Sequence, residues 1–303
     1  MNTCSDKDYI AEELKHIPFR KVVKEWNTIC SMTAEEISDL SGRSMLGCAI
    51  VDYYFFKDRL ETVGIRGINF FEFIENLDFY KEKKYVKTLL DYCEKTNRYK
   101  ESHIRKYYYC FGLCFGRINA FKITNVIDIL NKYPECTHIL DPFAGFGGRM
   151  LGAIAKGLHY TGIDTNVNLK TGYDKIFECP LFFTYNSRII YDSCENVDFS
   201  TIHYDTVFTS PIYYNIEVYS NMRKRKNKEW DEFYKNTFTR IYAKLQENGL
   251  MIININEKIY NKILVPLFGT AHHTHILKKS EKNKYVEYIY VWRKDSLHII
   301  HNP

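Results

Sequence analysis

The chain has 303 residues, 42 Lys and Arg against 37 Asp and Glu, a formal charge of +5 and 45% apolar residues. That is enough for one large domain or a core domain with a smaller one, and the mild basicity points only weakly to an anionic partner. Nine scattered cysteines without a Cys-x-x-Cys pair exclude a disulfide framework or zinc site and point to a reducing, cytoplasmic compartment; the charged "MNTCSDKDYIAEELKH" lacks a signal-peptide apolar region, and "YYYCFGLCFG" is too short to span a membrane.

Taken in chain order, residues 1–105 read as mainly helical. "YIAEELKHI" and "YKEKKYVKTLLDYCEK" space apolar residues by three and four. "MTAEEISDLSGRSM" reads as a capped amphipathic helix ending at Gly42 rather than a helix-turn-helix. "FGRINAFKITNVIDILNKYP" reads as a helix ending before Pro134. From residue 137 the pattern changes. Five strands are expected, in "THILDPF", "HYTGIDTN", "SRIIYDS", "YDTVFTSP" and "LMIININ". "RMLGAIAKG" and "EWDEFYKNTFTRIYAKLQENG" are helices stopped by glycine, and "TAHHTHILKK" with "KYVEYIYVWRK" forms a terminal hairpin. Strands alternating with helices imply an α/β, doubly wound, mainly parallel sheet to which the hairpin adds an antiparallel strand.

"LDPFAGFGGRM" sets Gly145, Gly147 and Gly148 between a strand and a helix, where glycine tolerates positive φ and close approach of a ligand. It is not the dinucleotide fingerprint, because Met150 occupies the last glycine position, and no P-loop Gly-Lys-Ser/Thr is present. The next strand ends at Asp164, placed to accept from a ribose diol, and the third at Asp192-Ser193, placed to reach an adenine amino group. Asp141, Asp164 and Asp192 then share the carboxyl edge of the sheet, where such folds bind ligands. A nucleoside without phosphates suits this set better than NAD.

With "FTSPIYYN" ending the fourth strand, the chain resembles the class I S-adenosylmethionine-dependent amino-methyltransferases of DNA, of the types found in phages and large DNA viruses. The D-P-F-x-G-x-G motif of that family is matched from Asp141 to Gly147. Its (Asp/Asn/Ser)-Pro-Pro-(Tyr/Phe/Trp) motif is matched by Ser210, Pro211 and Tyr213, with Ile212 in place of the second proline. The resemblance spans residues 117 to 293. It implies a Rossmann-like methyltransferase catalytic domain over 106–303, behind a helical region over 1–105 available for DNA contact. It also implies S-adenosyl-L-methionine as cofactor. Phe143, Gly145 and Gly147 would surround its methionine part, Asp141 would orient its amino group through water, Asp164 would hold the ribose, and Asp192 with Ser193 the adenine. Arg117, Phe121 and Lys122 would pack over the methionine tail.

The same resemblance assigns the chemistry. An exocyclic amino nitrogen is a poor nucleophile because its lone pair is delocalised into the ring. Two acceptors on its hydrogens, Ser210 Oγ and the Pro211 carbonyl, would localise that pair and stabilise the charge developing on nitrogen. Tyr213 would stack on a base flipped from its helix. The expected reaction is methylation of adenine N6 or cytosine N4 in DNA. The alternatives are amino-methylation of RNA and a donor-binding pseudoenzyme serving as a nucleic-acid-binding subunit. After the motif, "SNMRKRKNKEW" brings Arg223, Lys224, Arg225, Lys226 and Lys228 as phosphate contacts, and Arg98, Lys100, Arg105 and Lys106 form a second basic group. His272, His273 and His275 in a strand do not face one way, so no metal site is expected.

Overall fold

The structure is a computed structural model and describes residues 3–184, 186–214, 225–278 and 286–295. Nine helices come first among them: α1 (Thr3–Leu14), α2 (Phe19–Ser31), α3 (Ala34–Ser38), α4 (Cys48–Glu61), α5 (Phe70–Glu75), α6 (Leu77–Lys81), α7 (Lys84–Lys95), α8 (His103–Cys114) and α9 (Ile123–Asn131). Then follow β1 (His138–Asp141), α10 (Gly148–Ala155), β2 (His159–Ile163), α11 (Lys170–Phe177), β3 (Ser187–Ile190), β4 (Thr206–Thr209), α12 (Asn227–Lys244) and β5 (Leu250–Ile255). A helical stretch with a π turn at Tyr260–Leu264 leads to the hairpin of β6 (His273–Ile276) and β7 (Tyr288–Arg293).

The strands form one sheet in the order β3-β2-β1-β4-β5-β7-β6. The first five are parallel, and β7 runs antiparallel between β5 and β6. This is the expected α/β, doubly wound, mainly parallel sheet with its terminal antiparallel hairpin. The chain winds outward from β1 in one direction and from β4 in the other. That reversal leaves a crevice beyond the carboxyl ends of β1 and β4, the place where open α/β sheets bind ligands.

Period-two alternation distributes the core. Ile139, Leu250, Ile252, Ile289 and Val291 join the cluster on one face. Leu140, Met251, Ile253, Ile255, Tyr290 and Trp292 join the cluster on the other, against α12. The N-terminal helices contribute to the first face directly. Val22, Trp26, Ile50 and Phe55 are buried with Met150 and Tyr173, and the Trp26 ring meets Phe182 edge-on at 4.7 Å. Phe56, Phe70, Phe73, Phe111 and Phe115 form a separate cluster, so α4 faces both cores through adjacent residues. The division expected at 105/106 thus falls inside α8, and helices before it complete the core of the sheet.

Two helix expectations change. α3 stops at Ser38 rather than Gly42, although it is capped as expected, through a capping box of Thr33 and Glu36. The helix expected from Phe115 onward begins only at Ile123, because Gly116 takes φ +88° and residues 116–122 run as a strap. Lys122 Nζ secures that strap by donating to Gly42 O (2.8 Å) and Ser44 O (2.7 Å). No helix of the described residues is long and apolar enough to cross a membrane.

Candidate active site

The glycine turn after β1 is held from below. Asp141 is fully buried and accepts from Arg149 Nε (2.6 Å), Tyr160 Oη (2.7 Å), Thr209 Oγ1 (2.7 Å) and the Phe143 amide (3.2 Å). Arg149, also buried, donates a second time to the Phe143 carbonyl, and opposite charge offsets its desolvation. Asp141 therefore lies behind the cavity wall as an anchor rather than on the wall where a cofactor amino group would be met. Gly147, at φ +72°, likewise does not line the cavity; it starts α10 against the Phe55 ring. Gly145, at φ +60°, does line it, with Phe143 and Gly148. Gly148 cannot carry a side chain, since a Cβ there would stand 2.0 Å from the Phe121 carbonyl of the strap.

Asp164 closes the next side. Its Oδ2 accepts from the Gly145 amide (2.7 Å) and its Oδ1 from the Asn166 amide (2.8 Å). A carboxylate oxygen has two acceptor sites, so each oxygen retains one, a matched pair for two neighbouring hydroxyls. Burial pushes this carboxyl up to about 6, against the two amides that favour its ionised form. Asp192 and Ser193 line the same cavity beyond β3; Asp192 Oδ1 takes the Ser193 amide (2.6 Å) and Asn196 Nδ2 (2.8 Å).

The loop after β4 completes the crevice. Ser210 Oγ donates to Asn254 Oδ1 (3.1 Å), and Tyr213 Oη reaches the same atom at 3.2 Å. Asn254 is buried on β5 and is itself oriented by donating Nδ2 to Tyr288 O (2.9 Å). With its hydrogen spent on Asn254, the Ser210 hydroxyl presents lone pairs only. Tyr234 of α12 staples the loop from the other side, donating to the Ile212 carbonyl and accepting from the Tyr214 amide (3.0 Å). Tyr214 takes φ +54°, and its hydroxyl donates to Asp231 (3.0 Å). Asn254 and Tyr234 were missed in the sequence because neither belongs to a motif; the only local sign was a polar Asn inside the apolar run "LMIININ".

Ser210, Pro211, Ile212, Tyr213, Phe143, Gly145, Asp164, Asp192 and Ser193 all line one cavity of about 950 Å³. Arg117, Phe121 and Lys122 line it from the strap. The basic run behaves otherwise. Arg223 and Lys224 lie outside the described residues, as does Asn215. Arg225 pairs through both guanidinium ends with Glu195 and packs over Phe233 at 4.5 Å, so its charge is neutralised within the fold rather than offered to a phosphate. Lys226 and Lys228 are exposed at the start of α12. In the hairpin, His275 Nε2 meets Tyr133 Oη at 2.7 Å and His272 Nδ1 accepts the Arg293 amide, and no metal-binding group occurs among the described residues.

No protein-family model and no curated protein sequence matches the chain. Solved structures resemble part of it. TrmN from Thermus thermophilus aligns over 57% of this chain and 48% of its own, at 12% identity and a TM-score of 0.44. Magnesium protoporphyrin IX methyltransferase from Synechocystis PCC 6803 aligns over 57% and 78%, at 14% identity and 0.42. An RNA methyltransferase from Salinibacter ruber, solved with S-adenosyl-L-homocysteine, aligns over 61% and 98%, at 11% identity and 0.41. The chain spans about half the length of TrmN, and at these identities nothing about substrate passes to it.

Proposed function

We propose that the chain transfers a methyl group from S-adenosyl-L-methionine to the exocyclic amino group of adenine (N6) or cytosine (N4) in DNA. The observation that carries this reading is the Ser210–Asn254 hydrogen bond, which turns the hydroxyl into a pure acceptor at the lip of the cavity that Asp164 also lines.

The residues fit the donor. The two remaining acceptor sites of Asp164 suit a ribose diol, Asp192 with Ser193 suits an adenine edge, and Gly145 leaves room at the turn. The cavity volume is within the range of small-molecule sites. The bound donor would supply an activated methyl on a sulfonium. The nitrogen lone pair would form the new N–C bond as the S–C bond breaks, and the electrons of that bond would leave with S-adenosylhomocysteine. The amino group would release one proton to water; the chain would orient and stabilise this transfer. Ser210 Oγ and the Pro211 carbonyl would accept the two amino hydrogens and draw the nitrogen toward tetrahedral geometry. They would also stabilise positive charge as it grows there. Tyr213, pinned through its hydroxyl to Asn254, would offer its ring to the extruded base. The Ile212 position does not undo this, because Tyr234 supplies the loop stiffness that a second proline would have given.

The test is mass spectrometry of nucleosides from host DNA after expression, scoring N6-methyladenine and N4-methylcytosine. One of the two should rise above the empty-vector level and vanish with Asp164→Ala. Neither rising, while purified protein methylates RNA or nothing, overturns the reading.

A further inference from the structure

The N-terminal helices hold charge that the proposed transfer does not use. Between Phe79 and Tyr109 there are nine Lys and Arg against four Asp and Glu, an excess equal to the +5 of the whole chain. The same stretch has eight Phe and Tyr. Several of these rings are exposed, Phe79, Tyr85, Tyr92 and Tyr99 among them. Cations lie over the rings: Lys83 Nζ is 4.1 Å from Phe79, and the Arg98 guanidinium is 4.4 Å from Tyr109.

This surface connects with the active-site cavity. A second cavity of about 390 Å³ is lined by Lys15, His16, Tyr99, Arg105, Tyr108 and Arg117. Lys15, Tyr108 and Arg117 line the large cavity as well, so the two cavities adjoin along these residues. The carboxylates around the second cavity are already engaged. Asp52 is buried between Lys15 and Arg59, Glu13 accepts from Ser102 Oγ (2.7 Å), Glu12 meets His16, and Glu94 pairs with Lys106. Arg105 and Arg117 bond only backbone carbonyls, those of Glu13 and Tyr108, and neither is in an ion pair with a described residue. The Arg117 guanidinium stacks 4.1 Å from the Tyr108 ring, presenting a flat cationic surface. Asn97 and Tyr99 both take positive φ, so the turn between α7 and α8 holds Tyr99 in a conformation that tyrosine seldom adopts.

We propose that this basic, tyrosine-lined channel binds an unpaired stretch of the DNA substrate next to the target nucleotide. Arg105 and Arg117 would meet its phosphates, and Tyr99 and Tyr108 its bases. Rings stack on bases whose faces are open, which a paired duplex hides, and the target must in any case leave its helix to reach Ser210. The inference rests on the proposed function for the identity of the strand.

The test is fluorescence anisotropy of the full chain with a labelled oligothymidylate of about twenty nucleotides, a length above the usual site size of a single-strand groove. No methyl donor is present, so failed catalysis cannot masquerade as failed binding. Arg105→Ala with Arg117→Ala should weaken binding at least about tenfold and lower the log–log salt slope by about 0.7 per lost contact. Tyr99→Ala should weaken binding, and Tyr99→Phe should retain it. Arg105→Ala alone and Tyr99→Ala, at residues that line only the second cavity, should weaken binding with unchanged S-adenosylhomocysteine affinity and melting temperature. Wild-type affinity and slope in the double arginine variant would overturn the channel, as would an equal loss for Tyr99→Phe and Tyr99→Ala. A duplex bound more tightly than the single strand would overturn the unpaired occupant. An oligouridylate bound more tightly than the oligothymidylate would overturn DNA as the strand, whatever the transfer assay shows.

Discussion

The turn after β1 and the loop after β4 face each other across one crevice, yet they are held in different ways. The first carries its own lock. Asp141 and Arg149 are eight residues apart, both buried, and the turn wraps around their ion pair. The second is tied by neutral hydrogen bonds from elsewhere, Asn254 on β5 and Tyr234 on α12. The first arrangement joins the turn to the stability of the fold. The second lets loop geometry be adjusted at little cost to the core.

The sharpest break of that comparison is Asp141→Ala. It leaves the Arg149 charge buried without a counterion, which costs about 3–5 kcal/mol. Urea denaturation should show the midpoint collapse; an unmoved midpoint would mean the buried pair is not what holds the turn. Asp164→Asn acts on the same turn at its ligand side. Donor affinity should fall by about 1.5–3 kcal/mol as a charge-assisted acceptor is lost. Because this carboxyl is raised to about 6, wild-type donor affinity should decline as pH drops through that value while the Asn variant stays flat in calorimetry. The sign for stability is opposite. The ligand-free fold binds the Asp164 proton more tightly than the unfolded chain does, so this group's contribution is present at low pH and lost as pH rises through about 6.

Changes in the β4 loop should be milder for the fold and selective for transfer. Tyr213→Ala removes a stacking surface worth about 1–3 kcal/mol to the base. Methyl transfer should fall while donor affinity survives; loss of donor binding in a folded variant would place the ring against the cofactor. Tyr234→Phe removes two hydrogen bonds of about 0.5–1.5 kcal/mol each. The single-turnover rate should drop with only a modest shift in melting temperature, whereas a wild-type rate would show that the staple is dispensable. Ile212→Pro should change least. The structure uses the Ile212 carbonyl, which proline keeps, and isoleucine is compatible with the extended backbone proline would demand of Pro211. Transfer should be equal or modestly faster. If the wild type transfers nothing and the variant transfers, the loop is a disabled clamp.

The strands, the glycine turn and the hairpin were legible because they rest on local rules: period-two alternation, apolar runs ending in Asp, and glycine where φ turns positive. Residues 116–122 were not legible as a strap. Their apolar spacing imitates a helix, but Gly116 and the Lys122 bonds to Gly42 and Ser44 decide otherwise. The isolated look of the first 105 residues was misleading for a related reason. Trp26 and Phe55 read as ordinary amphipathic positions, and nothing nearby in the chain tells that their partners are Phe182 and Tyr173.

By itself the sequence determined which residues stand at the strand ends, since each strand and turn depends on neighbours a few positions away. That was enough for the sheet, for Asp164 beside the glycine turn, and for Ser210 and Tyr213 beyond β4. Only the tertiary structure decided what those residues are free to do. It buried Asp141 under four donors, turned the Ser210 hydroxyl toward Asn254, paired Arg225 with Glu195 and set the cavity of Tyr99 beside that of Ser210. The reason is physical. A hydrogen bond or ion pair between residues far apart in the chain exists only once the sheet has brought its strands together, and each such bond settles which lone pairs and charges remain for a ligand.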